Sequence, residues 1–372
     1  MISKLILLLF TVHSINLAVI PNGKEVERLG QLFATSLIYR HGDRNPVAMY
    51  PGDQYNLAYW PEGWGQLTNL GKQQQFNLGQ WSRARYINLL GSTFRANEIY
   101  VRSSDVDRTI MSAMANLAGL YPPTGNQVWN NNLPWQPVPV HVVTSESDYI
   151  TNGGVVSCPA YDKAYNEFLQ SDVVKKMDLI AQPYYDYLTA ALGTPINDFL
   201  NVLMIRDALY IQNLYNLSLP AWSKSIFPGN KKFDETALTY YYLSSGTQFL
   251  SKIRSGFLLK DILDRYKSKA ATGFTSDLKY YAYSTHDSVV SNFLNALGVF
   301  DYKFVPYAAA IIMEMRYYQN EFYVLLYYKN SDANPEPIDI PNCGQACPLS
   351  KWYQLYDGIL PKSDYKTECL IK

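Results

Sequence analysis

The sequence predicts an α/β fold, a strand-containing domain interrupted by a helical insertion. Three observations carry that expectation. The segments LFATSLIYR, EIYVRSSDVDRT and KYYAYST are apolar, aromatic or β-branched, and each runs into a charged knot followed by a stretch with helical spacing. Between about residues 146 and 235 the strand signals largely stop and helical pieces take over. From about 236 the strand and helix grammar returns, ending in a hairpin pattern in which 309–318 and 321–329 flank Gln319 and Asn320. The expected organisation is a signal segment at 1–18, an α/β domain assembled from 19–145 and 236–372, and a helical insertion at 146–235.

The opening MISKLILLLFTVHSINLA pairs an early lysine with an apolar run from Leu5 to Phe10 and a small residue at Ala18, the layout of a cleaved secretory signal. That run falls far short of the ~20 residues a spanning helix needs, and no later segment is long enough, so no membrane span is expected. Over 66–91, Leu67, Leu70, Leu78, Trp81 and Leu89 share a helical face, with Thr68 as N-cap. Residues 109–120 continue as a second helix. Thr194 and Pro195 supply an N-cap and first-turn proline for a helix over 196–215, and Pro183 is expected to end or kink the helix before it. Later, Leu259, Ile262, Leu263 and Tyr266 lie on one helical face. Val290, Phe293, Leu294 and Leu297 lie on another, and Gly298 suits its C-terminal cap.

With 48% hydrophobic and 17% charged residues the chain has ample material for a core, and 32 tyrosines add amphipathic surface. A formal net charge of zero removes the electrostatic footprint of a nucleic-acid binder. Four cysteines in a chain with a secretory signal favour disulfides. The expected bridges are Cys343 with Cys347, closing the turn PNCGQACP, and Cys158 with Cys369, tying the tail to the middle of the chain. The cysteines lack the close pairs and neighbouring histidines of a zinc site, so no metal or cofactor is expected. Asn216, in NLS, is the single glycosylation sequon.

Chemistry concentrates in three polar knots, each between a strand and a helix: Arg40 to Arg44, Arg102 to Arg108, and His286 with Asp287. Arginine forks match phosphate oxygens, and a helix N-terminus adds backbone donors, so the three together describe an oxyanion pocket. A neutral imidazole is a competent nucleophile toward a held phosphate, and a carboxylic acid supplies the proton the leaving oxygen needs. This assigns His41 as nucleophile and Asp287 as general acid. For Arg102 and Arg108 two readings stay open, pocket arginines or salt-bridge partners of Asp105 and Asp107. His141, within PVHVV, reads as part of a strand.

The blocks RHGDRNP, WPEGWGQLTNLGKQQQFNLG, YVRSSDVDRT and YSTHDS, in this order, resemble the histidine acid phosphatase family, in particular its animal prostatic and lysosomal branch and the insect venom acid phosphatases. Weaker similarity runs through most of the mature chain. The resemblance implies a phosphoglycerate-mutase-like three-layer α/β domain with a smaller inserted helical domain. It implies His41 as the phosphorylated residue, Arg40, Arg44 and Arg102 as the phosphate clamp, His286 as a further phosphate donor and Asp287 as proton donor. It also implies phosphate monoesters, small or on phosphoproteins, as substrates of broad specificity, a homodimer, an acidic pH optimum, a secreted or lysosomal setting, and one family disulfide missing here. The competing classes are a phosphoglycerate mutase, a phytase-like or lysophosphatidate-directed phosphatase, and a secreted binding protein on an inactive phosphatase scaffold.

Overall fold

The computed structural model describes residues 21–154, 156–272 and 277–371. The expected signal at 1–18 lies outside the described residues. Eight strands form one sheet: β1 (Gln31–Arg40), β2 (Ile99–Ser104), β3 (His141–Val143), β4 (Tyr280–Thr285), β5 (Ala310–Tyr318), β6 (Glu321–Lys329), β7 (Glu336–Ile338) and β8 (Ala346–Pro348). Their order is β3-β2-β4-β1-β5-β6-β7, with β8 also on β6. Strands β1 to β4 pair in parallel, whereas β5 runs antiparallel to β1. The carboxyl ends of β1, β2 and β4 therefore emerge at one edge, where an open α/β sheet places its ligands.

Alternate residues of β1 enter different cores, as strand geometry requires. On one face Leu37 and Tyr39 pack with α2 (Asn69–Leu90) and α3 (Asp107–Leu120) through Leu78, Tyr86, Ala113 and Leu117. On the other, Ile38, Tyr281 and Tyr283 pack with three helices. These are labelled in chain order after α1 (Gly23–Leu29), α4 (Pro159–Leu169), α5 (Asp172–Leu192), α6 (Phe199–Leu214), α7 (Lys231–Ser244) and α8 (Gln248–Ser251). They are α9 (Phe257–Ala271), α10 (Asp287–Ala296) and α11 (Leu349–Leu355), contributing Ile262, Tyr266, Phe293 and Trp352. The last helix, α12 (Tyr365–Glu368), carries the tail. The result is three layers, helices on both faces of a mixed sheet.

Helices α5 to α7 bury a separate cluster that includes Leu188, Val202, Leu209, Phe233 and Leu238. The expected boundary at 235/236 falls inside α7, whose Ala237, Leu238, Tyr241 and Leu243 belong to that same cluster. Two local expectations also change. Helix α6 begins at Phe199, and its N-cap is Asp198, whose carboxylate accepts from the Asn201 N–H at 2.7 Å, not Thr194. Ile196 is held out of that helix because its N–H donates to Thr189 Oγ1. Pro183 lies within α5, which continues on to Leu192. In α2, Thr68 does cap, accepting from the Gly71 N–H, but Leu70 is exposed. The β5–β6 turn has positive φ at both Gln319 and Asn320, the two-residue geometry that matches strand twist.

Cys158 is bonded to Cys369 and Cys343 to Cys347, across sequence separations of 211 and 4. Loop-closure entropy makes these unequal. Replacing both cysteines of the long bridge by serine is expected to lower unfolding free energy by about 5 kcal/mol, against about 2 kcal/mol for the short one. Urea titration of the two double variants checks this, and equal midpoint shifts would refute it.

Candidate active site

The site is built at the carboxyl edge of β1, β2 and β4. Strand β1 delivers Arg40 as its last residue, and the chain then turns through His41 to Arg44. This turn packs on the start of α2 so closely that a Cβ on Gly42 would lie 2.2 Å from the Gly71 carbonyl oxygen. Only glycine permits that approach. Gln75 of α2 donates to the Arg40 carbonyl at 2.7 Å, and Thr68 donates to the Asp43 carboxylate at 2.5 Å.

His41 is 1% exposed, and its Nδ1 lies 2.8 Å from the carbonyl oxygen of Gly42. A carbonyl only accepts, so Nδ1 carries the proton and Nε2 the lone pair. Burial, followed by the charges of Arg40, Arg108 and Arg44, holds this imidazole well below the usual histidine range. His286, the residue before α10, has its ring 5.7 Å from that of His41. Its Nε2 lies 2.9 Å from Ser104 Oγ at the end of β2, and its Nδ1 lies 3.3 Å from Arg108 Nη2. Arginine only donates, so Nδ1 accepts and Nε2–H points to Ser104. Burial, then Arg108, moves the His286 pKa down to about 3. Donation to a phosphate through Nδ1 needs a proton there, gained from solution or by moving the ring proton from Nε2 while the Ser104 hydroxyl donates in its place. The Gly153 backbone lies against this ring, where a Cβ would come within 2.9 Å of Cδ2.

The arginines are neutralised unequally. Arg40 pairs with Asp287 at 2.7 Å and lies over the Tyr307 ring, 4.2 Å from its centroid. Arg44 makes a two-pronged contact with Asp207 of α6 at 3.0 and 3.3 Å. Arg108, in the first turn of α3, has no ion pair among the described residues, with Asp105 and Asp107 included. Burial and then the neighbouring Arg44 lower its pKa to about 10. Asp287 opens α10. Burial alone would raise its pKa, but Arg40 and then Arg44 outweigh it, so the carboxyl sits below its ordinary range. The Nε–H groups of Arg40, Arg44 and Arg108 and the Tyr307 hydroxyl are buried without an acceptor among the described residues. That donor set suits a multivalent oxyanion.

A cleft of about 310 Å³ is bordered by Arg44, Arg108, Asp207, Tyr241, His286 and Asp287. Arg102, expected in the clamp, does not border this cleft. Its guanidinium is 2.6 Å from Asp148, which also accepts from the Ile150 and Thr151 N–H groups. Arg102 sits two residues before the end of β2, roughly 6.6 Å back from the edge, whereas Arg108 starts the following helix and reaches the cleft. Asp207, Tyr241 and Tyr307 were not anticipated at all. Trp60 is buried beside Ile211 and belongs to a small core.

Such a site, with paired histidines, clustered arginines and one acid at the strand ends of an α/β sheet, defines a phosphoryl-transfer protein of the two-histidine type. The chain belongs to the histidine phosphatase superfamily (branch 2), whose model matches residues 34–329. It is 36% identical to bovine (Bos taurus) prostatic acid phosphatase, over 93% of this chain and 89% of the relative. Human lysosomal acid phosphatase is 35% identical over 95% and 83% of the two chains. Among solved structures, Hafnia alvei phytase in complex with tartrate superposes with a TM-score of 0.67 and 17% identity, covering 92% of this chain and 99% of that one. That likeness is one of fold.

The different placement of Arg102 and Arg108 is testable by affinity. Arg108→Ala is expected to weaken binding of inorganic phosphate about 10- to 100-fold, the worth of a charge-assisted contact. Arg102→Ala is expected instead to lower stability by about 3 kcal/mol, since it strands the buried Asp148 carboxylate. Calorimetry with phosphate and urea unfolding of both variants separate the two roles, and a greater loss of phosphate affinity in Arg102→Ala would reinstate it.

Proposed function

We propose that the protein hydrolyses phosphate monoesters as an acid phosphatase through a phosphohistidine intermediate. The observation that carries this reading is the 2.8 Å approach of His41 Nδ1 to the Gly42 carbonyl, an acceptor that places the ring proton on Nδ1 and leaves the Nε2 lone pair free for phosphorus. Arg40, Arg44 and Arg108 hold the phosphate oxygens, and His286 joins them once its Nδ1 carries a proton. His41 Nε2 forms a bond to phosphorus while the ester P–O bond breaks, and Asp287 gives its proton to the leaving oxygen. Water then attacks phosphorus as the P–Nε2 bond breaks, the Asp287 carboxylate accepting its proton, which releases inorganic phosphate and restores His41.

The pH dependence follows from Asp287. In the unliganded site Arg40 and Arg44 favour its carboxylate, so protonation is promoted by low pH. A bound phosphate dianion offsets those charges and moves the carboxyl back up. Turnover of alkyl phosphates, whose leaving group needs the proton, is expected to fall as pH rises. In Asp287→Asn it should drop about 10²- to 10³-fold, with p-nitrophenyl phosphate losing far less. His41→Ala should abolish turnover of both. A His41→Ala protein with appreciable activity, or equal losses on both esters in Asp287→Asn, would sink the mechanism.

We further place the protein in a secreted or lysosomal setting, in keeping with its two disulfides and with the prostatic and lysosomal names of its relatives. No described helix is long and apolar enough to cross a membrane. Asn216, exposed beyond α6, is proposed to carry a glycan. The helical unit is proposed to run over 159–244. A homodimer is proposed through the edge strand β3, because Val142 on it and the nearby chain's Val128, Trp129 and Leu133 are exposed. Sedimentation should report a dimer that Val142→Lys with Trp129→Glu reduces to a monomer, and a wild-type monomer would end this proposal.

A further inference from the structure

The phosphate cleft continues beneath the helical unit. Gly153, Gly154, Leu200 and Tyr240 border both the cleft and a second cavity of about 610 Å³ among α4 to α7. At the junction stands Tyr240 of α7, which borders both spaces. The walls just beyond are aromatic and aliphatic. Tyr161 and Tyr165 are stacked with their planes 8° apart, and Phe199 and Leu243 lie opposite on α6 and α7.

The charge in this second cavity is opposite to that of the phosphate cleft. Asp162, Asp178 and Asp198 border it, and Arg254 is the one basic residue on its walls. Arg254 is already engaged, donating through Nη2 to the Gly153 carbonyl at 2.8 Å. A monoester held by its phosphate would thus present its other end to aromatic walls and then to carboxylates. An aromatic or alkyl body fits the first region, and an ammonium group complements the second. A polyphosphorylated leaving group meets three carboxylates and no free cation, so it is disfavoured. This contrasts with the Hafnia alvei phytase solved with myo-inositol hexakis sulphate, which shares the fold at 17% identity.

We propose that this cavity is the leaving-group subsite and selects monoesters with an apolar or aromatic body ending in a cation. The proposal rests on the phosphomonoesterase reading above. It is tested with aryl phosphates bearing an ω-aminoalkyl or an ω-carboxyalkyl tail, each kcat/KM taken relative to phenyl phosphate on the same protein. Phenyl phosphate is too short to extend beyond the cleft and reports the phosphate chemistry alone.

Wild-type protein at low ionic strength is expected to prefer the amine tail about fivefold, the combined effect of a few partly exposed charges. That preference should shrink toward unity at about 0.5 M salt, where the screening length is roughly 4 Å. It should also vanish in the triple variant Asp162→Asn, Asp178→Asn, Asp198→Asn. Asparagine caps a helix as well as aspartate does, so α6 keeps its N-cap in that variant. Should the triple variant not fold, the salt dependence of the wild type decides alone. Equal use of both tails, or a preference that survives salt, overturns the subsite. Absence of phenyl phosphate turnover in folded wild type would overturn the phosphatase reading itself, and this inference with it.

Discussion

The constraint on which the rest of the structure depends is the gathering of three guanidinium groups around one buried imidazole. Arg40, Arg44 and Arg108 repel one another in a region where water cannot screen them, and an unpaired buried charge is destabilising by several kcal/mol. The fold resolves this with carboxylates brought from remote parts of the chain. Asp287 at the head of α10 takes Arg40, and Asp207 from the middle of α6 takes Arg44. Arg108 has no ion pair among the described residues and meets the ring of His286, and burial followed by the charge of Arg44 pulls its pKa down to about 10. Of the three it is the arginine whose charge an arriving phosphate would complement most completely.

The same charges solve a problem peculiar to histidine chemistry in acid. An ordinary imidazole, with a pKa near 6.5, is protonated at about pH 5 and has no lone pair to offer. Burial and the surrounding arginines hold His41 well below that value, so the groups that would bind phosphate also keep the nucleophile unprotonated. The same field lowers Asp287, since what favours neutral His41 also favours ionised Asp287. One field thus acts on nucleophile and acid in the same direction, and phosphate binding, which cancels part of that field, shifts both back toward their ordinary values.

Much of this was readable in the sequence where local chemistry dictates structure. The knot after β1 lies where a buried strand meets the edge, the Gln319-Asn320 pair turns as its residues require, and Thr68 caps α2 because its hydroxyl reaches the Gly71 N–H. Local readings failed where tertiary contacts compete. Asp198 displaced Thr194 as the cap once Thr189 captured the Ile196 N–H. Arg102 and Arg108 share one polar knot, and only the position at which β2 ends and α3 begins separates a buried scaffold arginine from one in the cleft. Asp207 left little signal, because an aspartate on a helix reads as a solvated charge until the opposing arginine is known. A helical aspartate beside Arg206, within an otherwise apolar stretch, was the one hint available.

The helical unit is more than a cover over this machinery. Helix α6 holds the catalytic turn at two points, through Asp207 to Arg44 and through Tyr215, just past its end, to Asp43. Both contacts fall on the five-residue knot that carries His41. Displacing the helices from the sheet would break a largely buried ion pair and expose the arginine it neutralises, so the cavity among α4 to α7 is fixed in register with the phosphate cleft. Its walls, by contrast, contribute nothing to that neutralisation: Tyr161, Tyr165 and Asp162 face neither Arg40 nor Arg44 among the contacts described. Phosphate chemistry is thus tied to residues that cannot vary independently, while the surface that meets the rest of the substrate is free to vary without disturbing them.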